Sequence, residues 1–336
     1  MKTEKSKKIL SQAKKIAIVR TDRLGDMVLT LPLARALKGE YPEAEICMVA
    51  RRYVGPLVEN CPAVDRAIYI DDFGSIAEIF RRERFSAAFF PRPRLGECAA
   101  AFFARVPLRV GTAYRYYSFL FNHKVRDHRK SAEHHEAEYN VRLLESAVGK
   151  RFDVALTPPY VDLEALSSAV RKLADHGIAP GTEFIIIHPG SGGSARDLPA
   201  ESFRKAAELI ARHSPIRIVV TGSAAETDQC QVVASAGSFC SNLCGELSLD
   251  ELIAVASIAR LLVANSTGIL HIAAALGVRV VGLYPNSPHL SARRWGPYTD
   301  QKIILTPPQS GDDIDDVSRI SPALVSEAML GLLLEQ

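Results

Sequence analysis

Short runs of β-branched and apolar residues recur along this chain, and stretches with helical spacing lie between them. Strand, helix, strand in that order makes successive strands parallel, with the crossovers covering the sheet faces. The pattern runs through once, breaks, and begins again. In the first half it predicts strands at Lys15–Arg20, Ala44–Val49, Ala67–Ile70, Ala87–Phe90 and Leu108–Gly111. One helix is expected through "DMVLTLPLARALKGEYP", ended by Gly39 and Pro42, and another through "AEHHEAEYNVRLLESAV", capped by Ser131. In the second half, strands are expected at Phe184–His188, Ile216–Thr221, Arg260–Ala264 and Val278–Leu283, with helices over 163–176, 200–212, 225–236, 248–258 and 268–276. A last helix runs from Pro322 to Leu334, with Ser321 as its N-cap.

The break lies in "FDVALTPPYVDLE", residues 152–164, where two prolines forbid a continuous helix. At 336 residues the chain exceeds one ordinary core. The expectation is therefore two βα domains, 1–155 and 156–320, facing across a cleft, plus a terminal helix, 321–336, that packs back on the first domain. Ligands of such sheets bind beyond the carboxyl ends of the strands.

No apolar run is long enough to span a bilayer. The opening "MKTEKSKKILSQAKK" has no apolar signal core, so it reads as a solvated basic arm on a cytoplasmic protein. The six cysteines form no CxxC pair and read as reduced core residues. Charge is uneven: residues 81–130 carry 12 Lys/Arg and 3 Asp/Glu, a net +9, whereas 301–336 carries a net −4. A basic concentration of that kind points to an anionic partner.

Five stretches can carry chemistry. In "RTDRLGDMV", Gly25 leaves the backbone approachable and Asp26 stands at a helix start, where it is either an N-cap or a working carboxylate. Asp22 reads as a turn acid. The loop has one glycine rather than GxGxxG, which argues against a dinucleotide. In "HPGSGGSARDLP", Gly190, Ser191, Gly192, Gly193, Ser194 and Arg196 follow a buried-looking strand and suit a phosphate better than a free surface loop. In "VANSTGILHIAAALGV", Ser266, Thr267 and Gly268 open a helix that carries His271; the histidine alone reads equally as core. Thr221 ends a strand at the same rim, and Glu246 is either a ribose-binding acid or an exposed loop acid. Arg92, Arg94, Arg115, Lys124 and Arg126, with their aromatic neighbours, fit carboxylates or phosphates, or a merely solvated basic face. No recognised RNA or DNA motif surrounds them, so nucleic acid is not expected. The histidines at 123, 128, 134 and 135 have no metal-ligand spacing.

The order and spacing of "IVRTDRLGDMVLTLPLARAL", "HPGSGGSARDLP", "TGSAAE" and "NLCGELSLDELIAVASIARLLVANSTGILHIAAALG" resemble glycosyltransferase family 9, the ADP-heptose:lipopolysaccharide heptosyltransferases. The resemblance implies a GT-B fold of two Rossmann-like domains and an inverting, metal-independent transfer from a nucleotide sugar, with no cofactor. It implies Asp26 as general base, with Gly25 giving the acceptor room. Ser191, Gly192, Arg196, Thr221, Ser266, Thr267, Gly268 and His271 are then donor ligands, with Glu246 toward the nucleoside; Arg92, Arg94 and Arg115 are expected toward the acceptor from their charge, not from a matching family motif. Many members have Asp where this chain has Ser266. The implied partners are a nucleotide sugar and an anionic lipid-linked saccharide, Kdo-lipid A or a first heptose, with peripheral contact at the inner membrane. A helix N-terminus should keep Asp26 ionised and lower its basicity. Alternatives are a GT-B transferase of another nucleotide sugar and acceptor, a sugar-nucleotide epimerase, or a non-catalytic nucleotide-sugar-binding protein.

Overall fold

The computed structural model describes residues 2–193, 196–309 and 313–334. The chain divides into two compact units between Tyr160 and Val161, five residues beyond the boundary the sequence suggests.

The first unit holds six strands: β1 (Lys15–Val19), β2 (Glu45–Ala50), β3 (Arg66–Tyr69), β4 (Ala87–Phe89), β5 (Leu108–Thr112) and β6 (His123–Val125). All pair in parallel, in the order β3-β2-β1-β4-β5-β6. The second unit repeats the scheme with β7 (Phe184–His188), β8 (Arg217–Val220), β9 (Cys240–Asn242), β10 (Leu261–Asn265), β11 (Arg279–Leu283) and β12 (Lys302–Leu305). Their order, β12-β11-β10-β7-β8-β9, is the same winding. In each unit the first and fourth strands lie side by side, and the chain leaves them in opposite directions. That switch point opens a crevice at the carboxyl ends of β1 and β4, and of β7 and β10. The registers bring those ends level: Ile18 pairs with Phe89, and Ala264 with His188. The central strands are buried on both faces, which is why they read as unbroken apolar runs.

Three edge strands, β6, β9 and β12, escape the sequence reading. "HKV" and "CSN" are too short and polar for a period to show, and an edge is defined by its neighbour. The helix expected from Asp26 to Pro42 is two helices, Leu24–Val28 and Leu31–Glu40. Pro32 forces the break, since it has no N–H and its ring clashes with a preceding turn. Ser131 is not a cap: the helix Glu136–Val148 is capped by His135, whose Nδ1 accepts from Ala137 N–H, while Glu138 accepts from His135 N–H at 3.0 Å.

The basic N-terminal arm is a helix, Lys2–Ser11, packed against Glu136–Val148. Leu10 is buried, and the Ser6 hydroxyl meets His123 Nδ1 at 2.9 Å. The terminal helix Pro322–Leu334 is capped by Ser321 as expected, with Leu324 N–H donating to its hydroxyl at 3.2 Å. Val325, Met329 and Leu332 belong to the second unit's core, against Phe203 and Ile210 of the helix Ala200–Ala211. The cysteines are free thiols, four buried and two half-buried. Among the described residues no helix is long and apolar enough to cross a membrane.

Candidate functional site

The chain leaves β1 into Arg20, whose N–H still bonds Val49 O at 2.9 Å. The Arg20 side chain is 1% exposed. An isolated guanidinium there would cost several kcal/mol of lost hydration, roughly, so it needs anions around it. It has two: Arg20 Nε lies 2.6 Å from Asp22 Oδ1, and Arg20 Nη2 bonds Asp26 Oδ1. Asp22 also accepts from Arg92 Nη1 at 2.6 Å, and its carbonyl takes the Tyr53 hydroxyl. The turn is held from below. The Thr30 hydroxyl donates to Asp26 O at 2.7 Å, and Asn140 Nδ2 donates to Leu29 O at 2.9 Å. Glu136, buried at the start of the helix Glu136–Val148, pairs with Arg129, which also bonds Asn140 Oδ1.

Asp26 is the third residue of a five-residue helix. The expectation that a helix start depresses its pKa is reversed. Burial pushes the Asp26 carboxyl above its usual 3.8; Asp22 and Glu136 push the same way, and Arg20 and Arg92 only partly oppose them. A five-residue helix has little dipole to set against that. Gly25 is buried in the same turn, and its carbonyl accepts from Leu29 N–H.

Of the basic residues, Arg92 is engaged with Asp22. Arg94 is the exposed N-cap of Leu95–Phe103, and Arg115 lies on an exposed turn. The Tyr117 hydroxyl donates to Pro93 O at 2.8 Å, which ties those two segments together. Phe103, Tyr114, Tyr116 and Phe119 stand exposed rather than in the core.

In the second unit β7 ends in His188, and the glycine-rich loop follows. Gly192 and Gly193 have φ of 56° and 69°, which glycine adopts without strain. Asn265, at the end of β10 and fully buried, holds both limbs of the loop: its Nδ2 donates to Pro189 O at 2.6 Å and its Oδ1 accepts from Leu198 N–H at 2.9 Å. The loop is thereby pinned beside Ser266, Thr267 and Gly268 at the switch point. Thr267 is the N-cap of Gly268–Ala275 but makes no side-chain cap bond. His271 is buried within that helix. Thr221, at the end of β8, shares a 2.9 Å hydrogen bond with His188 Nδ1, and burial pushes His188 below its usual 6.5.

Three placements differ from a simple phosphate cradle. Gly192 N–H donates at 3.0 Å to Glu226 Oε1, and Ser223 N–H and hydroxyl donate to Glu226 Oε2 at 2.8 and 2.7 Å. Burial alone would raise the Glu226 carboxyl, but these donors and His188 outweigh it and hold the group low. Arg196 pairs with Asp313 at 2.5 Å, both exposed. Glu246 is exposed beyond β9, bonded to His176 Nε2 at 3.0 Å, and is not drawn to the loop. Ser194 of the loop lies outside the described residues.

The sequence does not single out Arg20, Glu97, Glu136 or Glu226, and it places Asn265 only in the turn that opens the His271 helix. The Glu97 side chain is buried beside the Thr21 hydroxyl. Gly190 was the available signal for Glu226, since a Cβ there would meet Glu226 Oε1 at 1.9 Å. Nothing in the sequence marks Arg20 as buried.

Residues 95–319 match the sequence profile of glycosyltransferase family 9 (heptosyltransferase). The chain belongs to that family. It is a glycosyltransferase. A Haemophilus influenzae protein whose own glycosyltransferase assignment is provisional is 26% identical over 332 residues, covering 91% of this chain and 93% of its own length. Lipopolysaccharide heptosyltransferase 2 of Salmonella typhimurium is 26% identical over 294 residues, with 82% and 84% covered. The solved structure of Escherichia coli ADP-heptose lps heptosyltransferase II superposes with a TM-score of 0.80 at 24% identity, over 96% of this chain and 99% of that one. The transferase thus has the GT-B class of fold, with two doubly wound Rossmann-like units.

Proposed function

We propose that this transferase moves heptose from ADP-heptose to the inner core of lipopolysaccharide, onto Kdo-lipid A or a first heptose, by an inverting and metal-independent displacement. Family membership and the heptosyltransferase relatives support the sugar and the acceptor class. The observation that carries the reading is Asp26, a largely buried carboxylate at the switch-point end of β1, made more basic by its surroundings.

In this reading Asp26 takes the proton of the acceptor hydroxyl as that oxygen bonds to the anomeric carbon. The bond from that carbon to the diphosphate breaks on the opposite face, and ADP leaves with the electron pair. Backbone N–H groups near Ser191 and Gly192, with the Ser266–Gly268 turn, Thr221 and His271, take up the growing diphosphate charge. Arg196 joins them by leaving Asp313, and Glu226 yields the Gly192 N–H. Glu246 serves the nucleoside. Gly25, Arg92, Arg94 and Arg115 receive the anionic acceptor, and the exposed aromatic side chains nearby rest at the membrane surface.

The test is a transfer assay with ADP-heptose and either acceptor, reading ADP release and product mass. Wild type should form product with or without EDTA, and Asp26→Ala should form none. Full turnover in Asp26→Ala removes the base; donor binding without product sends the search to other sugars and acceptors.

A further inference from the structure

Four charged side chains pair in alternating sign beyond the ends of β1 and β4. Arg92 Nη1 lies 2.6 Å from Asp22 Oδ2, Asp22 Oδ1 lies 2.6 Å from Arg20 Nε, and Arg20 Nη2 bonds Asp26 Oδ1. The Arg92 side chain is 53% exposed, whereas those of Asp22 and Arg20 are 3% and 1% exposed. The row therefore has one end in solvent and the other at the carboxylate that faces the chemistry.

We propose that this row reports the occupancy of Arg92 to Asp26, so that an anionic group of the acceptor seated on Arg92 activates the base. The inference rests on reading Asp26 as that base. Arg92 acts on Asp26 in two ways: its own charge favours the ionised carboxylate, and it neutralises Asp22, whose charge opposes ionisation. An anion on Arg92 cancels both effects. Asp26 then holds a proton more strongly and becomes the better acceptor at the moment a hydroxyl is presented. Before the acceptor arrives, the row is internally paired. Asp22 and Arg20 are positioning residues in this scheme.

Other charges face the same group. Glu136, on Glu136–Val148, adds to the negative field and is paired with Arg129. Glu97, on Leu95–Phe103, lies behind Thr21 and feels Asp22. Tyr53 donates to the Asp22 carbonyl. These remain in place when Arg92 is occupied, so Arg92 is the member whose charge an incoming anion can cancel.

The experiment is the pH dependence of kcat/KM for wild type, Asp22→Asn and Arg92→Gln, with Asp26→Asn as the base control and thermal melts to show that each is folded. Asp22→Asn should move the acid limb down by about one pH unit, and Arg92→Gln should move it up by about half a unit. Loss of activity with an unmoved limb, or shifts of the same sign, overturns the proposal. A second readout needs no turnover. The Asp26 carboxyl is titrated by carbon-13 NMR in the full chain, with and without inorganic phosphate as the anion. Phosphate should raise the midpoint in wild type and leave it unchanged in Arg92→Gln; no effect in wild type overturns the proposal. If Asp26→Asn turns over normally, the base reading falls instead, and the NMR titration still judges the row.

Discussion

Asp26 illustrates how a buried carboxylate can be both held and basic. Its neighbours are one fully buried cation, two further carboxylates and a half-exposed arginine, and the net effect is a raised pKa. Two consequences follow at the residue scale. Asp26→Asn should lower kcat by about 10²–10⁴, the usual range for a lost general base, and wild-type kcat/KM should fall on acidification at a pH above the usual 3.8. Stability should show the opposite preference. A raised carboxyl pKa adds stability that is full below 3.8 and lost as pH rises through the folded value. Asp26→Asn keeps the neutral form at every pH but takes one of its two anions from Arg20, so its Tm relative to wild type should shift in the variant's favour as pH rises through the folded value; a Tm difference that does not move with pH would count against this account of the site. Asn265 behaves differently. Asn265→Ala strands the buried Pro189 O and Leu198 N–H, and should cost about 2–4 kcal/mol in urea denaturation while weakening donor binding.

At the scale of elements, helices in the second unit are joined by a polar clamp as well as by apolar packing. Glu251 Oε1 accepts from the Ser168 hydroxyl and Oε2 from Lys172 Nζ, each at 2.7 Å, which links the helices Leu163–Asp175 and Leu249–Ser257. Burial would raise this carboxyl, but Lys172, the Ser248 N–H and Ser168 outweigh it and hold it at about 2. The stability it supplies is present above the usual 4.5 and is lost as pH falls toward 2. Glu251→Gln should therefore lower Tm at pH 7, with the difference from wild type shrinking on acidification. The N-terminal helix makes its own contribution through Leu10, 1% exposed, and Leu10→Ala should cost about 2–5 kcal/mol by chemical denaturation. An arm that were merely solvated would show no such loss.

For the whole molecule, the repeated strand order matters more than any one motif. Two sheets wound alike give two switch points, and loops bearing the candidate residues leave β1, β4, β7 and β10 there. The first unit also carries the net +9 of residues 81–130 together with exposed Phe103, Tyr116 and Phe119. Aromatic rings and basic side chains on one segment suit an anionic lipid interface. The full chain should co-sediment with phosphatidylglycerol-containing vesicles and less with phosphatidylcholine alone, with binding that weakens as salt rises. The triple substitution Phe103→Ser, Tyr116→Ser, Phe119→Ser should reduce it at low salt. Equal sedimentation of variant and wild type would assign the attraction to charge alone.

The central strands, the two-unit division and the main switch-point loops were legible in the sequence because each leaves a local trace. Strands buried on both faces must be apolar throughout, and a double proline must interrupt a helix. The glycine-rich loop and the "GD" step were legible for the same reason, as chain geometry written in residue type. What tertiary structure alone decided is partnership. The β6 and β9 edges exist because a neighbour offers its ladder, and His135 is a cap only where that chain turn begins. The terminal helix joins the second core because Phe203 and Ile210 meet it there. The charge state of the site was decided in the same way. Asp26 is near Arg20 in sequence, but the burial, Glu136 and Arg92 that set its basicity arrive from other elements. The Coulomb energy between charges depends on their distance in space and the dielectric around them, and neither is a property of sequence separation.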